Sequence, residues 1–292
     1  MSLIFFLTAF VIMIYFMYPL WLKLISAKSK TGTSDGKIIE EVTLVLLSYN
    51  GKQYLEKKIR RLKQELEIFP QHEMIIIDDK SDDGSQDLLK DYLDIPGIKI
   101  ILKEERKGIP HSMNLAVSLA AYENIIFCDQ RQVTSRNSLA RLVEPLGREN
   151  IGAVSACISH IDKSGCSSWI RRYENFLKEN ESRAGSLMGV YGPLYAIKKS
   201  SYAPIPEHII LDDLYLSLNV LSSRKIYITR ECIIYDEHLC TLHDYRRIRR
   251  YLRGFQQIIA DRTLLRNLPL QPLTMLIWHK YIRLLIPVLL CL

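Results

Sequence analysis

Asp129 and Arg131 stand two residues apart at the end of the stretch NIIFCDQRQ (124–132), directly after a run of strand-forming apolar side chains. In extended chain, residues two apart point to the same side, so the carboxylate and the guanidinium face one place. A carboxylate there can hold a cation, and a guanidinium binds phosphate oxygens through a planar fork. For such a triplet taken alone, a turn with a solvated arginine is the competing reading. Two other apolar runs end alike: Ser48, Tyr49 and Asn50 follow VTLVLL, and Asp78, Asp79, Lys80, Ser81, Asp82 and Asp83 follow MIII. A further acidic pair, Asp212 and Asp213, opens the stretch LDDLYLSLNV, where it either caps a helix or supplies a base.

These clusters need a scaffold that gathers strand ends. Short apolar runs at 42–47, 74–78, 98–102 and 125–128 alternate with helical patterns. The first of those patterns carries Leu55, Ile59, Leu62 and Leu66 on one face, the second centres near Leu88, and the third runs from about Met113 to Ala121. Strand and helix in strict turn predict an α/β fold with a doubly wound, mostly parallel sheet. In such sheets ligands lie outside the carboxyl ends of the strands, so the polar clusters should meet along one edge. No dinucleotide-binding glycine fingerprint follows the first strand, which argues against an oxidoreductase.

The 292 residues are 48% apolar, ample for a core. Lys and Arg outnumber Asp and Glu by 39 to 32, with the excess gathered at Arg246 to Arg253 and around the hydrophobic ends. That pattern suits anionic lipid or ligand phosphate better than nucleic acid, for which no recognition signature is present. Six cysteines without paired spacing read as free thiols in a reducing compartment, with Cys128 in the core.

Residues 1–22 carry no charge, and as a helix would reach about 33 Å, enough to cross a bilayer. A signal peptide fits worse, because no basic residue precedes the apolar run. The expected organisation therefore starts with a transmembrane anchor at 1–23 and a turn-rich linker at 24–40. Lys23, Lys28 and Lys30 place the remainder on the cytoplasmic side of the cell membrane. Within 244–283, Ile248, Tyr251, Leu252, Phe255, Ile258 and Ile259 form one helical stripe, with arginines largely elsewhere, as in segments that lie at a lipid interface. The uncharged stretch 284–292 is too short to span, and is either an interfacial dip or the start of a further transmembrane helix.

The ordered set VTLVLLSYN, IIIDDKSDDGS, RKGIPHSMNLAVSLAAYENIIFCD, GVYGPLYAIKK, ILDDLYLSLNV and RRIRRYLRGFQQ resembles the family 2 glycosyltransferases of GT-A fold, particularly their membrane-anchored, polysaccharide-synthesising members. The resemblance covers residues 41 to about 283 and implies a GT-A catalytic domain at 41–243. It implies inverting transfer of a sugar from a nucleotide sugar, most simply a UDP-sugar, to a lipid-linked or cell-surface glycan. Ser48, Tyr49, Asn50, Asp78, Asp79 and Asn114 fall where the family holds the nucleoside, with one of Asp78 and Asp79 accepting from the uracil imide. Ile109 stands where a basic residue is common, and Arg106 or Lys107 is placed to compensate.

The family's strand-ending motif is Asp-x-Asp, which holds Mg²⁺ or Mn²⁺ against the diphosphate; here Asp129 is kept and Arg131 replaces the second acid. Either Asp129 and the diphosphate hold the metal, or the guanidinium itself faces the diphosphate. Asp213 matches the general base, with Asp212 beside it. Arg247, Arg250 and Tyr251 occupy the places of a Gln-x-x-Arg-Trp motif, and Arg250 is implied to assist the leaving diphosphate. Arg247 replaces the glutamine and Tyr251 the tryptophan that stacks on a growing polymer, which argues against processive synthesis. A polyprenyl-phosphate sugar transferase and a partner subunit that no longer turns over are the other readings these residues allow.

Overall fold

The computed structural model describes residues 13–28, 36–160, 168–236 and 245–282. A π-helical turn, Met13–Met17, leads into α1 (Tyr18–Lys28). Then follow β1 (Glu41–Ser48), α2 (Lys52–Leu66), β2 (Gln71–Asp78), α3 (Ser85–Lys90), β3 (Ile98–Leu102), α4 (Gly108–Leu119) and β4 (Asn124–Asp129). This half reproduces the alternation expected from the apolar runs. Beyond it lie β5 (Val133–Thr134), α5 (Ser138–Val143), β6 (Ile151–His160), α6 (Ser168–Ala184), β7 (Leu194–Lys198), α7 (Asp212–Leu221) and β8 (Lys225–Asp236). The described chain closes with α8 (Tyr245–Ala260), α9 (Arg262–Arg266), α10 (Leu270–Met275) and a π-helical stretch, Leu276–Ile282.

One eight-stranded sheet runs in the order β3-β2-β1-β4-β7-β6-β8-β5. Its first four strands are parallel, and β6 and β8 are parallel. However, β7 is antiparallel to both neighbours and β5 is antiparallel to β8. The sheet is thus mixed, yet six of its eight strands run one way, in keeping with the mostly parallel expectation, and only β7 and β5 oppose them. Apolar periodicity finds strands but says nothing of their direction, and only the βαβ crossovers of the first half fixed it.

Val42, Leu44, Val45 and Leu46 on β1 and Met74 to Ile77 on β2 are buried, so these strands are covered on both faces, as a parallel sheet requires. Leu55, Ile59, Leu62 and Leu66 form the inner face of α2, as their spacing predicts. Cys128, Cys157 and Cys232 are buried free thiols. Residues 1–12 and 284–292 lie outside the described residues. Among the described residues no helix is long and apolar enough to cross a membrane. The helix α1 runs to Lys28, five residues beyond residue 23. On this N-terminal segment Phe16, Met17, Leu20, Trp21 and Leu24 are exposed, whereas Tyr18 and Leu22 are buried.

Candidate active site

The register of the parallel strands sets the first part of the site. Ser48 pairs with Asp78 across β1 and β2, and Leu47 pairs with Asp129 across β1 and β4. Three strands therefore end in a row, with Ser48, Asp78 and Asp129 at their carboxyl ends, where ligands of open α/β sheets bind. Asn50 takes a left-handed conformation (φ 47°), and its backbone N–H donates to Ser81 Oγ at 2.9 Å. Its side chain donates to Asp82 Oδ1 (2.8 Å) and accepts from the Asp82 N–H (3.0 Å). The loops after β1 and β2 thus form one unit.

Asp78 and Asp79 play different parts. Asp78 has no exposed surface and accepts from Ser81 N (2.8 Å), Ser81 Oγ (2.6 Å) and Gln86 Nε2 (3.0 Å), which locks the turn. Asp79 retains 8% exposure and accepts from Lys103 Nζ (2.6 Å), Lys107 N (3.0 Å) and Gly108 N (2.8 Å). Burial raises its pKa, but the Lys103 ammonium and the two backbone N–H groups outweigh that and hold the carboxyl below its usual range. Tyr49 is covered by the Arg106 guanidinium, 3.9 Å from its ring centroid. Asn114 ties α4 to the 202–205 segment: Oδ1 accepts from Tyr202 Oη (2.7 Å) and Ile205 N (2.9 Å), and Nδ2 donates to Ile205 O (2.8 Å).

At the end of β4 the Asp129 N–H donates to Pro193 O at 2.9 Å, and the Asp129 side chain is half-buried. Gln130 turns inward and donates to Tyr49 O at 2.9 Å. A Cβ at Gly51 would lie 2.2 Å from the Gln130 amide carbon, so a side chain there would push the Gln130 amide off Tyr49 O. Gln130 Oε1 and Ser48 Oγ are buried without partners among the described residues. Arg131 is exposed.

The resembling family holds a divalent cation here. Among the described residues no three His, Cys, Asp or Glu side chains gather closely enough to hold a metal ion by themselves. The oxygen of Asp129 still fits the requirement of Mg²⁺ or Mn²⁺ for one protein carboxylate when substrate phosphates and waters fill the remaining positions.

The second acidic pair approaches from the other side. Leu211 is the N-cap of α7 and no side chain caps the helix, so Asp212 and Asp213 lie inside its first turn. Asp213 Oδ1 accepts from the Leu214 N–H at 2.7 Å, and a Cβ at Gly192 would lie 3.5 Å from Asp213 Oδ2. Burial, then the Asp213 carboxylate, drive the pKa of Asp212 up to about 7; Asp129 adds to the rise and Arg250 opposes it. Asp129, Asp212, Asp213 and Arg250 therefore share one electrostatic field. Tyr195, fully buried and stacked on Phe127 at 5.2 Å, lies in the same field and is raised by burial and by all three carboxylates.

Arg250 owes its place to the docking of α8 on the 208–211 loop. Gln257 accepts from Ile210 N (3.0 Å) and donates to His208 O (2.7 Å), and Ile258 is fully buried. A Cβ at Gly254 would lie 2.4 Å from Leu211 Cγ, so the helix approaches this closely only through glycine. Phe255 is half-buried, while Tyr251, Leu252 and Ile259 of the expected stripe are exposed, as is Arg250. The side chains of Arg247 and Ile248 lie outside the described residues. Sequence reasoning missed Tyr195, which lies within GVYGPLYAIKK but was not singled out there, and Lys178, which sits in a helix with no motif to mark it.

Comparisons with known proteins agree with this architecture. Poly-beta-1,6-N-acetyl-D-glucosamine synthase of Staphylococcus epidermidis is 24% identical over 174 residues, 58% of this chain and 42% of that protein. The putative teichuronic acid biosynthesis glycosyltransferase TuaG of Bacillus subtilis is 30% identical over 104 residues, 35% of this chain and 40% of that protein. The chain thus matches about two-fifths of the length of these relatives. Among solved structures, the mannosyltransferase PcManGT from Pyrobaculum calidifontis, in complex with GDP-Man and Mn²⁺, superposes with a TM-score of 0.78 at 20% identity, covering 98% of this chain and 83% of that one. S. aureus TarS 1-349 gives 0.53 at 14% identity over 78% and 65%. These two likenesses establish the fold, of GT-A type. The profile described as "Glycosyl transferase family 2" matches residues 43–203, more than half of the chain, and the protein is a glycosyltransferase that belongs to this family.

Proposed function

We propose that this chain is an inverting transferase that moves a sugar from a nucleoside diphosphate, most simply UDP, to a lipid-linked or cell-surface glycan at the cytoplasmic face of the cell membrane. The observation that carries this reading is the convergence of Asp129, Asp212, Asp213 and Arg250 beside the carboxyl ends of β1, β2 and β4.

The nucleoside lies against Tyr49 and Asn50, with Asp79 accepting from the base edge; Asp79 suits this better than Asp78, which has no exposed surface. Ser48 Oγ and Gln130 Oε1, both unpartnered among the described residues, offer further polar contacts. Asp129 would hold Mg²⁺ or Mn²⁺, which when bound supplies positive charge against the diphosphate. The acceptor hydroxyl oxygen attacks the anomeric carbon as its proton passes to Asp213, and the bond to the diphosphate oxygen breaks with its electron pair leaving on the nucleoside diphosphate. Arg250 and Arg131 stabilise the charge that develops there. Asp212, whose proton is held to about pH 7, keeps a second negative charge from crowding the base.

The exposed apolar residues of the N-terminal helical segment, together with Arg249, Arg250 and Arg253 on α8, support contact with membrane lipid. Membranes carrying the full chain, incubated with a panel of nucleotide sugars and analysed by product chromatography, test the reading. A glycan product that Asp213→Asn abolishes is expected. Donor bound but never transferred, by the unaltered chain, would instead mark a partner subunit without turnover.

A further inference from the structure

The site just described accounts for none of the chemistry of Lys178, a lysine on α6 that keeps only 4% of its surface. Burial of an ammonium requires compensation. Lys178 Nζ donates to Gly189 O at 2.6 Å and lies 3.6 Å from the centroid of the Tyr191 ring. The charged groups that face it are Glu181 and Glu174 on its own helix, Lys280 on the C-terminal π-helical stretch, and Asp213 on α7. Burial and Lys280 bring its pKa down to about 7, while the three carboxylates hold it up.

Its bond partner, Gly189, begins a loop that packs on the base. The Val190 N–H donates to Ser217 Oγ at 3.1 Å, and the Ser217 hydroxyl donates to the Asp213 carbonyl at 2.6 Å. The Tyr191 N–H donates to Ser155 Oγ at 2.8 Å, and Gly192 lies against the Asp213 carboxylate. One turn along α6, Glu181 accepts from the Met188 N–H at 3.4 Å and from Tyr18 Oη at 2.8 Å. The loop 188–192 is thus suspended between α6 and the first turn of α7.

From this geometry we infer that Lys178 is a positioning residue for the transfer step: it fixes the 188–192 loop against Asp213 and sets the base's orientation and electrostatic surroundings, without touching donor or acceptor. The inference rests on the assignment of Asp213 as the base. A misplacement of about 1 Å at a reacting group lowers rate by up to about 10²-fold, so a distant clamp can control turnover. The nucleoside half of the site, built on the loops after β1 and β2, takes its hydrogen bonds within itself; only Asp129, through Pro193 O, touches the chain next to the 188–192 loop.

Lys178→Met keeps an unbranched side chain of similar volume and removes the ammonium that bonds Gly189 O. The expected result is a fall in kcat of tenfold or more, with donor Kd and donor KM within about twofold of the unaltered chain. Ser217→Ala, which cuts the second link of the same path and is milder in a buried site, should lower kcat in the same sense. The double variant should lose less than the product of the two, because both act through one loop. A kcat within twofold of the unaltered chain in both single variants, or a loss confined to donor affinity, overturns the inference and leaves the transferase reading standing. A Lys178→Met protein that does not fold leaves the decision to Ser217→Ala and its kcat. If the unaltered chain transfers no sugar from any nucleotide donor, the transferase reading falls and the inference with it.

Discussion

Lys103 Nζ lies 2.6 Å from Asp79 Oδ1, and the two side chains keep only 7% and 11% of their surface. With the N–H groups of Lys107 and Gly108 on the same carboxylate, this pair ties the loop after β2 to the end of β3 and the start of α4. Removing one partner of a buried pair leaves the other charge uncompensated, typically at about 3 to 5 kcal/mol. Asp79→Asn should therefore destabilise the protein by an amount of that order in urea unfolding, and weaken donor binding. Because the folded carboxyl titrates below its ordinary value, its stabilisation is complete above the usual Asp range. It is lost as pH falls from that range through the lowered value. Unaltered protein should lose stability on acidification through this window, and Asp79→Asn should lose less.

Asp212 has the opposite sign. Its folded pKa of about 7 lies above the ordinary carboxylate value, so the folded state binds a proton that the unfolded chain has released. Stability contributed by this group is full below the unfolded pKa and declines as pH rises towards about 7. Asp212→Asn removes the buried charge, and its melting temperature at pH 8 should exceed that of the unaltered chain by about 2 °C or more. At pH 4 the two should coincide. Melting curves at both pH values check this, and equal shifts at both would show that Asp212 is ionised in the fold.

Much of this organisation could be read directly from residue order. The strand ends were legible because VTLVLL, MIIID, IKIIL and IIFC are each apolar runs closed by polar turns, and register then brings Ser48 level with Asp78 and within one residue of Asp129. The direction of β7 was not legible, since nothing in LYAIK distinguishes a strand running up from one running down. The pairing of Asp79 with Lys103 was equally hidden, because it joins residues 24 apart through the sheet rather than through a motif. Asn114, expected from its place in the sequence to contact the donor, also has a structural part that no motif announced, since its amide joins Tyr202 and Ile205. Lys178 had no signal at all, for a lysine within FLKENE reads as a solvated helix face until burial is seen.

Asp213 and Arg250 should separate binding from chemistry. Asp213→Asn keeps the shape of the side chain but cannot take the acceptor proton, and general bases contribute about 10² to 10⁴ in rate. Transfer should fall by that factor while donor affinity, measured by calorimetry, holds within about twofold. Arg250→Lys replaces a planar fork by a point charge, and turnover should fall about tenfold or more. Unchanged turnover in Arg250→Lys would remove this residue from the leaving-group side.

On the proposed reading, Arg131 bears on how the diphosphate is neutralised. It stands two residues beyond Asp129 on the exposed edge of the site, where a second carboxylate would strengthen a cation and a guanidinium weakens it. Asp129 alone still suffices as a protein ligand when phosphate oxygens and water complete the shell. Chelator should therefore stop transfer, and Mg²⁺ or Mn²⁺ should restore it. Arg131→Asp, which adds a carboxylate and removes the opposing charge, should lower the metal concentration needed for half-maximal activity by about tenfold, since 1.4 kcal/mol of relieved repulsion suffices for that factor. Metal titrations of the two proteins with the same donor provide the comparison. Full activity in excess chelator, abolished by Arg131→Ala, would overturn the metal assignment and make the guanidinium itself the partner of the diphosphate.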